Sequence, residues 1–154
     1  MFKGKVCIFT SATTHLIADV DGFYPANSSY ESLVPIRMMD SRFPGSPTAD
    51  EDYKGFGPLP AGSIIDLKVA ERGGVPTGAE TAVLNVTVTR AQGSGYITVF
   101  PCDSPQPNSS NLNFVAGSTI ANLVVTKLDF EGWVCIFTSA PTDLIVDVDG
   151  YYAA

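Results

Sequence analysis

The side chains best suited to chemistry in this 154-residue chain are three cysteines (Cys7, Cys102, Cys135), a single histidine (His15) and two Asp-Val-Asp-Gly stretches, Asp19 to Gly22 and Asp147 to Gly150. A nucleophilic serine or cysteine needs a base within hydrogen-bond reach. Only His15 could serve, and the segment that holds it recurs later with Asp143 in its place. That replacement argues against a catalytic or metal-ligating histidine, and no two Cys or His residues stand at zinc-ligand spacing. The Asp-Val-Asp-Gly stretches look like the start of a calcium loop but lack the remaining ligand series and the closing glutamate. They are read instead as strands whose polar face carries two carboxylates before a glycine kink. Asp50-Glu51-Asp52 is read as a solvated acidic loop. With no carboxylate pair suited to acid–base work, the expectation is a non-enzymatic protein with no cofactor and no metal.

The elements that must position these residues emerge from an internal repeat. Gly4 to Ala12 and Leu16 to Tyr24 return as Gly132 to Ala140 and Leu144 to Tyr152, always 128 positions later. Over Phe2 to Tyr24, 17 of 23 positions are identical, far more than shared β composition produces. The chain therefore reads as one full repeat, residues 30–154, preceded by residues 1–26, the terminal segment of another. Each copy reads as two strands joined by a polar turn, a terminal hairpin.

Further strands are predicted at Leu33 to Met39, Ile64 to Ala70, Ala79 to Thr89, Gly95 to Pro101, Asn111 to Val115 and Thr119 to Leu128. The third of these is the clearest: Ala82, Leu84, Val86 and Val88 alternate with Thr81, Asn85, Thr87 and Thr89, the pattern of a strand with one buried face. Short strands separated by Gly/Pro turns predict an all-β, antiparallel, jelly-roll-like β-sandwich with a single core. A formal charge of −7 with nine scattered Lys and Arg argues against a nucleic-acid partner. No apolar run approaches the length of a membrane span, so no membrane insertion is expected, and Met1 to Lys5 lacks the pattern of a signal peptide.

Cys7 and Cys135 are equivalent in the two copies and Cys102 is unique. A disulfide between Cys102 and Cys135, both in the full repeat, would leave Cys7 unpaired or reserved for an inter-repeat partner; three free thiols are the alternative. Arg37 and Arg42 flank Asp40 closely enough for a charge network pinning the Phe43 to Pro60 loop, or for binding an anionic ligand. Among the aromatics Tyr96, Phe100, Phe114, Trp133, Tyr151 and Tyr152, which more often form core than a sugar platform, Trp133 is replaced by Lys5 in the other copy. That replacement predicts an exposed tryptophan and a possible binding surface with Tyr151 and Tyr152.

Pro35 to Arg42, Gly73 to Pro76, Leu84 to Thr87, Gly95 to Cys102, Asn111 to Phe114 and Asp147 to Tyr151 together resemble a repeat module of large secreted proteins of actinobacteria and related bacteria. The resemblance covers Tyr30 to Ala154, with Ser41 standing where the module's opening motif has threonine. It implies an extracellular or cell-surface location and a spacer, surface or adhesive role, and it supplies no catalytic residues. Two copies of one terminal segment around one body predict end-to-end joining with neighbouring copies of the module, by strand exchange that could propagate into a filament. The competing expectation is a polysaccharide-binding adhesin module that uses Trp133.

Overall fold

The computed structural model describes residues 5–20 and 22–153; the start at Met1 and the Asp21 carboxylate of the first Asp-Val-Asp-Gly stretch lie outside them. Strand-forming character concentrates in eight segments: β1 (Tyr30–Asp40), β2 (Ser63–Lys68), β3 (Ala79–Thr89), β4 (Gly95–Pro101), β5 (Leu112–Phe114), β6 (Ile120–Lys127), β7 (Trp133–Thr138) and β8 (Asp143–Ala153). Where the alternation of Ala82, Leu84, Val86 and Val88 predicts a buried face, all four are fully buried. Gly and Pro punctuate the connections, as turn chemistry requires.

The strands form two four-stranded antiparallel sheets, β1-β8-β3-β6 and β2-β7-β4-β5. The ladders β1·β8, β2·β7, β3·β6 and β4·β5 are those of one long folded-over hairpin rolled into a sandwich, the jelly-roll solution to covering sheet edges. Between the sheets lies one core, built from Met38, Leu67, Leu84, Ile97, Ile136 and Leu144 among others. This is the all-β sandwich that the strand pattern predicts.

Two expectations change. The terminal strands β7 and β8 do not form a hairpin, because each sits in a different sheet: β7 between β2 and β4, β8 between β1 and β3. Residues 139–142 arch across the sandwich. Alternation shows that a strand has one buried face but not which sheet owns it, so hairpin and arch look alike in sequence. The second change concerns the N-terminal copy, in which no described residue from Lys5 to Tyr24 belongs to a strand and all are exposed. Its sequence suits the position that β7 and β8 already occupy.

Candidate functional site

The position held by β7 and β8 places strict demands on its occupant. Val134 and Ile136 of β7, and Leu144, Val146 and Val148 of β8, are fully buried. Two threonines are buried with them, and each has a partner, as buried hydroxyls require. Thr138 Oγ1 donates to the Ala140 carbonyl at 2.7 Å, and Thr142 Oγ1 to the Thr89 carbonyl at 3.0 Å. Buried Asp143 accepts a hydrogen bond from Ser41 Oγ at 2.8 Å and lies 3.9 Å from Arg90, while Ser41 Oγ accepts the Leu144 N–H at 2.9 Å. At Gly150 a Cβ would fall 2.5 Å from the Tyr30 hydroxyl oxygen, and at Gly132 it would fall 2.2 Å from the Ala70 Cβ. Only glycine fits either place.

The N-terminal copy meets almost all of these demands without occupying the place. It keeps Val6, Ile8, Thr10, Thr14, Leu16, Val20 and the glycines Gly4 and Gly22 at the equivalent positions. Yet Val6 and Val20 are 88% and 89% exposed, where their counterparts Val134 and Val148 are at 0%. Ile8, Phe9, Leu16, Ile17 and Phe23 of the same segment are exposed as well. The copy is anchored at its end by three aromatic rings. Tyr24 stacks on Tyr30 with centroids 4.3 Å apart, Tyr30 lies 5.3 Å from Tyr152, and the Tyr152 hydroxyl donates to that of Tyr24 at 2.7 Å. That donated hydrogen bond, with lesser contributions from burial and the neighbouring tyrosines, raises the Tyr152 pKa. A turn closed by Ser28 N–H to the Pro25 carbonyl at 3.0 Å reverses the chain between Tyr24 and Tyr30. The aromatic cluster is absent from the sequence reading; its signal was a repeated closing tyrosine followed, after a Pro-Ala-Asn-Ser turn, by another.

Cys102 and Cys135 are joined in a disulfide with Cα atoms 4.9 Å apart, and Cys7 is free and exposed. The bond fastens the start of the 102–111 loop to the outer face of β7. Thr98 Oγ1, donating to the Ser109 carbonyl at 2.6 Å, and Val99 N–H, donating to Asn111 Oδ1 at 2.8 Å, fasten its other end to β4. The carboxylate of Asp66 lies 3.2 Å from Cys135 Sγ, so Asp66 and the two sulfurs form a cluster of potential ligand atoms. With both sulfurs in the disulfide, neither is a thiolate ligand.

Asp40 is the centre of the charge network. Its carboxylate is fully buried and takes a two-pronged contact from Arg42, Nε at 2.8 Å and a terminal nitrogen at 2.6 Å, with Arg37 at 3.3 Å. Burial pushes its pKa up, but the Arg42 hydrogen bond, the Ser46 N–H and the Arg42 charge together outweigh this and hold it well below the usual carboxylate range. Arg37 also reaches Asp147 of β8 at 2.8 Å. The Asp40 main chain accepts Gly55 N–H and donates to the Tyr53 carbonyl, so the network and the backbone together tie the 43–60 loop to the end of β1. With its charges internally matched, this cluster is built as a clamp.

The three aromatics expected to share a surface are separated. Trp133 is half-buried on the outer face of the β7 sheet, with Lys68 Nζ 5.6 Å from its ring centroid. Tyr151 turns inward and packs against the core. Tyr152 belongs to the other sheet, in the Tyr24–Tyr30 cluster. A bulge at Asp149, between the Leu84–Val148 and Val83–Gly150 pairs, sets which of the two tyrosines faces inward. His15 is exposed on the N-terminal copy.

The fold and these contacts define an all-β, disulfide-bonded sandwich whose terminal strand-pair sequence is repeated in an N-terminal segment that forms no strand among its described residues. No protein-family model matches the chain, and no curated protein is significantly similar to it.

Proposed function

We propose that this protein is a non-enzymatic extracellular structural repeat module, and that it joins end to end with neighbouring copies through its N-terminal segment. The observation that carries the reading is the mismatch between one strand-pair position and two sequences suited to it. A segment with fully exposed valines at positions where the embedded copy is fully buried gains its hydrophobic stabilisation only against another surface. A neighbouring module offering the same position supplies that surface by strand exchange, and a head-to-tail exchange of this kind propagates rather than closing. The Cys102–Cys135 disulfide suits an oxidising, extracellular or cell-surface compartment.

A second reading, a polysaccharide-binding adhesin module, is favoured by one feature. Trp133 borders a cleft of about 310 Å³ that is also lined by Lys68, Glu71 and Phe130. An aromatic face beside polar groups is a common sugar-binding arrangement, but without Tyr151 and Tyr152 beside it the platform is small.

Light scattering of the native, oxidised chain over a concentration series, with negative-stain images, separates the two readings. End-to-end joining predicts a molar mass that climbs with concentration and collapses to that of a monomer in Val20→Asp. A monomer at every concentration, combined with polysaccharide binding that is lost in Trp133→Ala, would replace it with the adhesin reading.

A further inference from the structure

We propose that the position of β7 and β8 can be filled by either copy within a single chain, so that the protein has two alternative folding frames. In the frame observed, residues 30–153 form the sandwich and the N-terminal copy lies outside it. In the other, Val6 to Thr10 and Leu16 to Tyr24 replace β7 and β8, and residues 132–153 are released. This goes beyond the joining role, because it requires no second molecule.

The register makes the exchange possible. β8 runs antiparallel to β1 with Tyr152 opposite Tyr30, so the end of the terminal pair lies beside the start of the sandwich body. Tyr24 is the equivalent of Tyr152, only five residues intervene before Tyr30, and a reverse turn already closes within them. In the alternative frame the chain enters β1 from its neighbour through a short hairpin, a connection length that antiparallel strands accept readily. The pairing of strand with β1 then becomes local, whereas Tyr30 and Tyr152 are far apart in sequence, which lowers the entropy lost on closing that contact.

The differences between the copies decide which frame wins. Val146 is fully buried and its counterpart is Ala18, which would leave a void. Asp143 lies near Arg90, and its counterpart is His15, which cannot supply that negative charge. Trp133 packs under Lys68, and its counterpart Lys5 would bring two like charges together. All three favour the observed frame, and none blocks the other. The glycines and threonines that the position demands are present in both copies.

Cys7 gives the exchange a covalent record, because it would occupy the place of Cys135 beside Cys102. The Cys7 thiolate attacks Cys102 Sγ, the Cys7–Cys102 bond forms, and the Cys102–Cys135 bond breaks. Cys135 leaves as a thiolate and takes up the proton that Cys7 gave up. One disulfide and one thiol stand on each side, so no oxidant is needed.

The full-length Cys135→Ser variant, expressed in an oxidising compartment, tests the proposal by non-reducing peptide mapping, light scattering and amide hydrogen exchange. The expected result is a monomer with an intramolecular Cys7–Cys102 bond. Residues 6–10 should be protected and residues 133–148 exposed, each changing by about 100-fold or more in exchange rate. Adding Ala18→Asp, a change at an exposed residue in the observed frame but in the core of the other, should abolish both the bond and the protection. Free Cys7 and Cys102 thiols, or a Cys7–Cys102 bond insensitive to Ala18→Asp, would overturn the two-frame proposal. Bonds found only between chains would also overturn it, while leaving end-to-end joining intact.

Discussion

Two stretches of this chain share most of their residues and have opposite fates. Leu144, Val146 and Val148 are sealed between two sheets, while Leu16, Ala18 and Val20 lie open to water. Strand propensity and alternation are nearly the same in both, so neither explains the difference. What differs is the surroundings: the C-terminal copy has β1, β2, β3 and β4 on its flanks, and a second occupant finds them taken. Strand formation depends on available partners more than on intrinsic preference.

The sharpest way to break the symmetry of the two copies is to place the same charge in each. Val148→Asp, made in the Ala18→Asp background that closes the alternative frame, puts an unpaired carboxylate in the core and should cost more than about 4 kcal/mol, enough to unfold most chains of this size. Val20→Asp should change monomer stability by less than about 0.5 kcal/mol. Urea unfolding measures both, and similar costs would mean that the N-terminal copy is embedded in the native state.

The disulfide should come next in magnitude. Its cysteines are 33 residues apart, and a loop of that size implies about 3–4 kcal/mol of stabilisation through the unfolded state. A Cys102→Ser variant should lose roughly that amount by denaturant titration, whereas Cys7→Ser should lose almost none. A smaller asymmetry is expected at Val146, a fully buried position where the copies differ. Val146→Ala should cost about 2 kcal/mol through the void it leaves, and the reciprocal Ala18→Val should leave monomer stability unchanged while strengthening whatever association the N-terminal copy makes.

The carboxylates around the embedded copy predict a modest pH dependence of opposing signs. Asp40 has a folded pKa below its unfolded value, so its stabilisation is present above the unfolded value of about 3.9 and is lost as pH falls through the lower folded one. Asp149 is pushed up by burial and then by the nearby Asp147 charge. Its contribution is present below its unfolded pKa and is lost as pH rises through the raised folded one. Thermal melts should therefore peak in mildly acidic buffer, with Asp149→Asn flattening the decline toward neutrality and Asp40→Asn destabilising the neutral protein. A stability that rises steadily to pH 7 in the unmodified chain would remove the Asp149 part of this account.

Much of the sandwich was legible in the sequence because its strands are bounded by Gly and Pro and several alternate clearly. The strand boundaries around Ala79 to Thr89 and Gly95 to Pro101 coincide with those observed. The arch between β7 and β8 was not legible, since a hairpin and an arch share the same apolar pattern and differ only in distant partners. The repeat identified Cys135 as the copy belonging to the body, and pairing with Cys102 follows from strand order. Tyr151 and Tyr152 were harder, because the bulge at Asp149 shifts the alternation and turns the first of them inward. The replacement of Trp133 by Lys5 signalled solvent access, but the residue is half-buried, with Lys68 Nζ 5.6 Å from its ring centroid.

Hydrogen exchange on the unmodified, oxidised chain at increasing concentration tests most directly whether the N-terminal copy serves as a joining strand pair. The account predicts that residues 6–10 and 16–20 exchange freely in dilute solution and gain protection as the measured mass rises. Association that leaves those amides unprotected would contradict it, because the joining surface would then lie elsewhere on the sandwich.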